Sequence, residues 1–357
     1  MAIYDAFDQI GKSNITSTRT DLVDSVGIDG MKDILRNVFE GGNVRDVTEF
    51  ITQRRLLSSY AAMIDLFANE IGEKADNPEE YVASIKKDMQ TAKMNAKILN
   101  LWLIGLTKKG LDNIVRTEAN LNDYTKSFSS SLSEVSCDMS EKFGDLSGEL
   151  SIGDEKFKLN WQSMLLLCQV MGSQTLSIRG SSKSMNGKLF EKLLLGSLLS
   201  MMGFKFLPNP PKTISEKEKL FWLSNMDENE RETDATLCYN KIAISIDIGF
   251  IGKGNPEISL DKVTRFNRYK QIAGLGHEMK TIIIVDTVAK NSDLINKAKR
   301  VDGIVLQMSH DDWVIEFAKN ICKIFDFEHP LAEIGKPGLD GYIRNALGKI
   351  DISEFIK

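Results

Sequence analysis

Apolar residues in the first part of the chain recur every three to four positions, the spacing of one face of an α-helix. Between residues 44 and 71 they fall at Val47, Ile51, Leu56, Leu57, Tyr60, Ile64, Leu66 and Phe67, which predicts a long helix. A second is predicted from Pro78, a favoured first helical position, with Glu79 and Glu80 complementing the positive end of the helix. It continues through Met89, Met94, Ile98, Leu101 and Leu103 to Lys109-Gly110, and a third runs from residue 111 to about 132. The serine-rich run 127–136 and the glycine-containing run 144–153 then predict a loop region or domain boundary.

The second half changes character. Residues 184–202 (SMNGKLFEKLLLGSLLSMM) predict a strongly apolar helix, 204–207 a short strand, and Asn209-Pro210-Pro211 a break. Residues 233–239 and 242–250 alternate like strands, and Pro256, capped by Asn255, opens a helix to about residue 272. The run 281–288 (TIIIVDTV) is β-branched nearly throughout, as a buried strand is. A helix over 292–300, a strand over 303–307 and a helix over 309–325 follow. The expected class is α/β, with a helical domain over 1–165, an α/β domain over 166–330 and a C-terminal extension over 331–357.

Composition changes this picture little. The 42% hydrophobic and 27% charged fractions are those of an ordinary globular protein. No apolar run reaches the roughly 18 residues a bilayer span needs, and MAIYDAFDQI has no signal-peptide pattern. The four cysteines, Cys137, Cys168, Cys238 and Cys322, show no C-x-x-C spacing, which fits a reduced, cytoplasmic setting without a zinc cage. His277, His310 and His329 lie too far apart to suggest a histidine metal site. A net charge of −5 counts against a non-specific nucleic-acid coat protein. It leaves room for a DNA enzyme with a local basic cleft.

The chemistry concentrates in RETDATLCYN-KIAISIDIGF. With Asn240-Lys241 as a two-residue turn, Asp234 falls directly opposite Asp247. Ile242, Ile244, Ile246 and Ile248 then share a face with Ala235, Leu237 and Tyr239. Ala243, Ser245, Asp247 and Gly249 share the other with Asp234, Thr236 and Cys238. Two opposed carboxylates repel, and a hard divalent cation such as Mg²⁺ reverses that sign. An ion held there activates water and neutralises charge developing on a phosphate. The plainer reading is a pair of solvated carboxylates on an exposed sheet face. Against it, Asp247 interrupts an isoleucine strand where aspartate is depleted.

This order of helix, strand, acidic hairpin, helix and strand over residues 184–288 resembles the PD-(D/E)XK nuclease superfamily. The resemblance implies a restriction-endonuclease-like core with Asp234 and Asp247 as the motif acids and Mg²⁺ as cofactor. It makes Glu191, on the preceding helix, a further catalytic candidate, against the plain alternative of an ion pair with Lys188. Thr233 stands where the motif often has proline, and Gly249 where it has lysine. Lys262 is the preferred substitute, since a helix gives it fixed reach; Lys253, in a glycine-flanked turn, is the other candidate. Glu257 is a further candidate for contact with the metal or with its ligands, and for Lys262, Lys253 and Glu257 alike the plainer reading is an ordinary surface charge.

Two longer segments, SIRGSSKSMNGKLFEKLLLGSLLSMMGF and IDIGFIGKGNPEISLDKVTRF, are similar to type II restriction endonucleases of the CfrBI-like group, over roughly residues 175–290. That resemblance implies a restriction-modification hydrolase cutting double-stranded DNA at a short palindrome as a homodimer, since a twofold protein matches a twofold site. Arg179 and Lys183, in a glycine/serine-rich stretch, and Arg265 and Arg268 are the candidate DNA contacts, against the alternative of an ordinary solvated face. Arg54, Arg55, Lys86 and Lys87 of the helical half could add to a cleft, and that half could equally form a dimer surface or read bases. Three competing readings follow. One is a repair or recombination nuclease of the same fold, and another is a non-catalytic DNA-binding protein, prompted by Gly249. The third is a nucleotide loop at Gly249-x-x-Gly252-x-Gly254, whose glycines stand in the wrong order for the dinucleotide fingerprint.

Overall fold

The computed structural model describes residues 3–211, 217–224, 233–249, 278–288 and 303–356. Their contacts divide the chain into two compact units, Met1–Thr18 with Glu49–Ser184 and Arg19–Thr48 with Met185–Lys357. No helix among the described residues is long and apolar enough to cross a membrane.

The first unit is mainly helical. Pro78–Thr91 starts as expected, its first turn capped by Asn77, whose side chain accepts from the Glu80 N–H at 3.2 Å. The predicted continuation to residue 110 instead breaks after Thr91, and a separate helix runs from Met94 to Leu103. Leu99 to Leu103 are buried without interruption, so this piece is enclosed on all sides and cannot prolong a one-sided amphipathic helix. Met63, Phe67, Tyr81, Ile85, Trp102 and Val170 meet in the core. There the Tyr81 hydroxyl donates to the Leu103 carbonyl at 2.5 Å.

The serine-rich run expected to loop lies inside the helix Glu118–Phe143. Its hydroxyls bond back to the preceding turn: Thr125 Oγ1 donates to the Leu121 carbonyl at 2.8 Å and Ser136 Oγ to that of Leu132 at 2.6 Å. Burial of Leu121 and Leu132 overrides the weak helix preference of serine. The run expected to loop after it forms a hairpin, β1 (Gly148–Ile152) with β2 (Glu155–Leu159), closed at Gly153 with φ 59°. The glycine/serine-rich stretch around Arg179 is also helical, part of a continuous helix Trp161–Met201. Its serines take bonds a larger residue would block: Ser177 Oγ accepts from Trp102 Nε1 at 2.9 Å, and Ser182 Oγ from Arg55 at 2.9 Å.

The second unit holds a mixed six-stranded sheet in the order β3 (Lys205–Phe206), β4 (Leu220–Leu223), β5 (Ala235–Tyr239), β6 (Ile242–Gly249), β7 (Glu278–Val285), β8 (Gly303–Gln307). The pairs β4–β5 and β5–β6 are antiparallel, while β3–β4, β6–β7 and β7–β8 are parallel. The α/β class is therefore as read from the pattern. The strand β4 was not anticipated, because LFWL is too short and too uniformly apolar to show alternation. Ile244, Ile246, Ile248, Ile282 and Ile284 are fully buried, as are Leu189, Phe190, Leu193 and Leu194 of the long helix. Trp313, on the helix Trp313–Phe325, donates from Nε1 to the Val38 carbonyl at 2.9 Å, tying the early segment to this unit. The last residues also join this core. Phe355 packs edge-on against Phe206 and lies near Phe221, with centroids at 5.2 and 6.3 Å.

Candidate active site

The site is built on the β5–β6 hairpin. Asn240 and Lys241 take positive φ values of 49° and 64°, the two-residue turn whose twist suits an antiparallel ribbon. Pairing then runs from Tyr239↔Ile242 to Ala235↔Ile246. Asp234 stands one step past the last pair, level with Asp247. There its Oδ2 accepts the backbone N–H of Ile248 at 2.8 Å. The carboxylate thus takes the place of a strand partner where β5 ends and β6 continues.

Burial removes the plainer reading of Asp247. At 1% exposure it is not a solvated carboxylate on an open sheet face. β6 is an interior strand, flanked by β5 on one edge and by parallel β7 on the other, and its residues Ala243 to Gly249 are buried on both faces. Asp234 is half-buried. Around the two acids the same face carries the short hydroxyls of Ser245, Thr281 and Thr236: Ser245 Oγ lies 3.3 Å from Thr281 Oγ1, and Thr236 Oγ1 lies 3.3 Å from Thr233 Oγ1, ahead of the strand. The face is dry enough that burial pushes the Cys238 thiol up to about 12.

A buried carboxylate among isoleucines is expensive unless something repays it. Oxygen donors from two opposed strands suit a hard divalent cation, so these residues fit Mg²⁺ in kind. Among the described residues no group of three or more His, Cys, Asp or Glu side chains converges as a metal site. Glu191 stands near Arg19, whose positive form its charge favours. Nothing in the pattern around residue 191 pointed to a partner so distant in sequence. Glu257, Lys262, Lys253, Arg265 and Arg268 lie outside the described residues.

A further acid that the sequence reading missed lies at the same end of the sheet. Asp286 follows β7, its N–H donating to the Gly249 carbonyl at 3.2 Å and its carbonyl accepting from Ser309 at 3.1 Å. Burial raises its carboxyl above the ordinary range, with Arg45 pulling it down and Asp46 pushing it up. Of the expected DNA contacts, Lys183 is exposed. Arg179, in the first unit, makes a two-pronged pair with Glu49, at 2.9 Å and 3.2 Å, which holds that carboxyl below its usual range.

A family model described as CfrBI restriction endonuclease matches residues 29–293. The type II restriction enzyme CfrBI of Citrobacter freundii is 36% identical over 346 residues, covering 95% of this chain and 94% of the relative. The likeness is thus much longer than the segments that first suggested it, and it takes in Glu191, Asp234 and Asp247. Matched over nearly its whole length, the chain belongs to the CfrBI restriction endonuclease family and is, by class, a site-specific endonuclease.

Proposed function

We propose that this chain cleaves both strands of duplex DNA at a short palindromic sequence, using Mg²⁺ held between Asp234 and Asp247. The observation that carries the reading is the burial of Asp247, 1% exposed, on the strand paired with the end that bears Asp234. A cation there offsets both the desolvation of the carboxylate and its repulsion by its neighbour. When bound, the ion supplies Lewis acidity toward the phosphate and lowers the pKa of water. Asp234 is kept in place by the Ile248 N–H, and the isoleucine face behind the hairpin fixes the strands that carry both acids.

In this reading the second unit is a PD-(D/E)XK core: the end of the helix Trp161–Met201, β4, the hairpin β5–β6, and β7. Lys262 supplies the cation that Gly249 cannot, and Glu257 adds to the metal's ligands. Arg179, Lys183, Arg265 and Arg268 contact backbone phosphates, Arg179 exchanging Glu49 for one of them. The helical unit serves recognition or dimerisation, and two copies act on the two half-sites.

Digestion of phage DNA with the purified protein and Mg²⁺, followed by sequencing of the ends, tests this directly. Discrete fragments with ends at one symmetric sequence are expected. Cleavage restricted to branched DNA would instead indicate a repair nuclease, and binding without cleavage a non-catalytic protein.

A further inference from the structure

The helix Val44–Leu66 is apolar on two opposite sides over its length in the first unit. Leu56, Ala62, Met63 and Leu66 form its inner stripe, none more than 6% exposed, and Thr52 and Ser59 are buried with them. At about 100° per residue, Phe50, Leu57, Ala61 and Ile64 fall together on the far side. Phe50 and Leu57 are 69% and 66% exposed, Ala61 is exposed and Ile64 half-buried. A surface helix keeps one apolar stripe and a polar outer face, whereas a helix apolar all round is an enclosed one. This outer face combines the composition of an enclosed helix with the exposure of an open one.

The charges beside the stripe indicate what covers it. Arg54 and Asp65 are eleven residues apart, close to three full turns, so they lie on one flank of the stripe. Asp65 accepts from the Asn69 amide at 3.0 Å. On the opposite flank Gln53 donates to Glu49 at 2.8 Å, and Glu49 pairs with Arg179 at 2.9 Å, so that side is satisfied within the chain. When two copies of one helix lie antiparallel about a twofold axis, each flank meets itself with the sequence reversed. An axis midway between Leu57 and Ala61 sets each leucine on the alanine of the other copy, the large-on-small fit of helix packing. The same axis brings each Arg54 level with Ile64 of the other copy, one residue from its Asp65. An acid and a base on the same flank thus form two identical ion pairs. Duplex DNA, uniformly negative, matches neither the acid nor the apolar stripe.

We propose that this outer face is the dimer surface of the helical unit, packed antiparallel against the same face of a second copy. The proposal deepens the reading of the chain as a twofold endonuclease and rests on it. It gives Arg54 a partner in protein and takes it out of the residues that could line a DNA cleft.

The test is self-association of the full-length protein by analytical ultracentrifugation, with duplex binding measured alongside. The wild type is expected to sediment at twice the 40.0 kDa of one chain. Leu57→Glu should raise the dimer Kd about a hundredfold or more, because the charge is buried twice in a twofold contact. Arg54→Glu and Asp65→Lys should each raise it about tenfold. The two combined should restore it, a recovery that misfolding cannot produce. A dimer with unchanged Kd in all of these variants forms through another face and overturns this surface alone. Weaker duplex binding by Arg54→Glu with the dimer intact gives the face to DNA and overturns it as well. A wild type that stays monomeric, free and on its duplex, overturns it together with the twofold reading.

Discussion

Asp234 Oδ2 accepts the backbone N–H of Ile248 at 2.8 Å, so one proposed metal acid is tied to the residue next to the other. The bond gives Asp234 a structural duty separable from its charge. Asp234→Asn keeps an oxygen acceptor, whereas Asp234→Ala removes it, at a cost of about 1–3 kcal/mol. Both variants are expected to lose cleavage to the same extent, with thermal unfolding lowered substantially only in Asp234→Ala. Equal melting temperatures for the two variants would show that the bond contributes nothing to the strand end.

The hairpin turn offers a gain in stability. Lys241 is held at φ 64°, where a side chain costs about 1 kcal/mol and glycine costs little. Asn240 is better left alone, since asparagine tolerates this region and its Nδ2 reaches the Phe325 carbonyl at 3.5 Å. Lys241→Gly is therefore expected to raise the melting temperature by about 2–4 °C, read by calorimetry, without changing cleavage. A fall would mean that the lysine side chain does more for this turn than the backbone strain costs.

Much of this hairpin was legible beforehand. The Asn-Lys turn, the isoleucine alternation and the placing of Asp234 against Asp247 follow from period-two patterning, which pairing across a short turn turns into geometry. The burial of Asp247 was not legible, because alternation separates two faces but does not reveal what covers them. Local composition misled at the serine-rich run, where buried Leu121 and Leu132 outweigh serine's preference for turns. Around Arg179 small residues admit Trp102 and Arg55 to a helix that begins well before the one predicted from residue 184. The electrostatic influence of Glu191 on Arg19 depends on tertiary approach, for which neither segment carries a signal.

The C-terminal residues close the core of the second unit. Phe355 is 2% exposed, and a Cβ built at Gly196 would lie 2.5 Å from its ring. Phe355→Ala is expected to cost about 3–5 kcal/mol in denaturant unfolding. Gly196→Ala alone should cost about 1–3 kcal/mol by overpacking. Combined with Phe355→Leu, its effect should fall short of the sum, since the smaller side chain yields the space. Strict additivity would place the two residues out of contact.

Stability should also respond to pH through Glu40. Burial, and then the neighbouring Asp340 carboxyl, raise the Glu40 carboxyl above its ordinary value of 4.5, against the pull of Arg36 and Arg344. The folded state therefore holds this proton more tightly than the unfolded chain does. Its stabilising contribution is complete below pH 4.5 and is lost as pH rises through the folded value. Glu40→Gln keeps the size and polarity of the side chain without the titration. Its melting temperature relative to wild type should climb with pH across that window, and a difference independent of pH would contradict the assignment.

The most direct measurement is plasmid cleavage by Asp247→Asn in Mg²⁺ at the wild-type protein's own site, with duplex binding followed in parallel. Losing a metal carboxylate removes several kcal/mol of transition-state stabilisation, so the cutting rate should fall by about three orders of magnitude while binding persists. Linear product appearing at the wild-type rate would contradict the assignment of Asp247 to the metal.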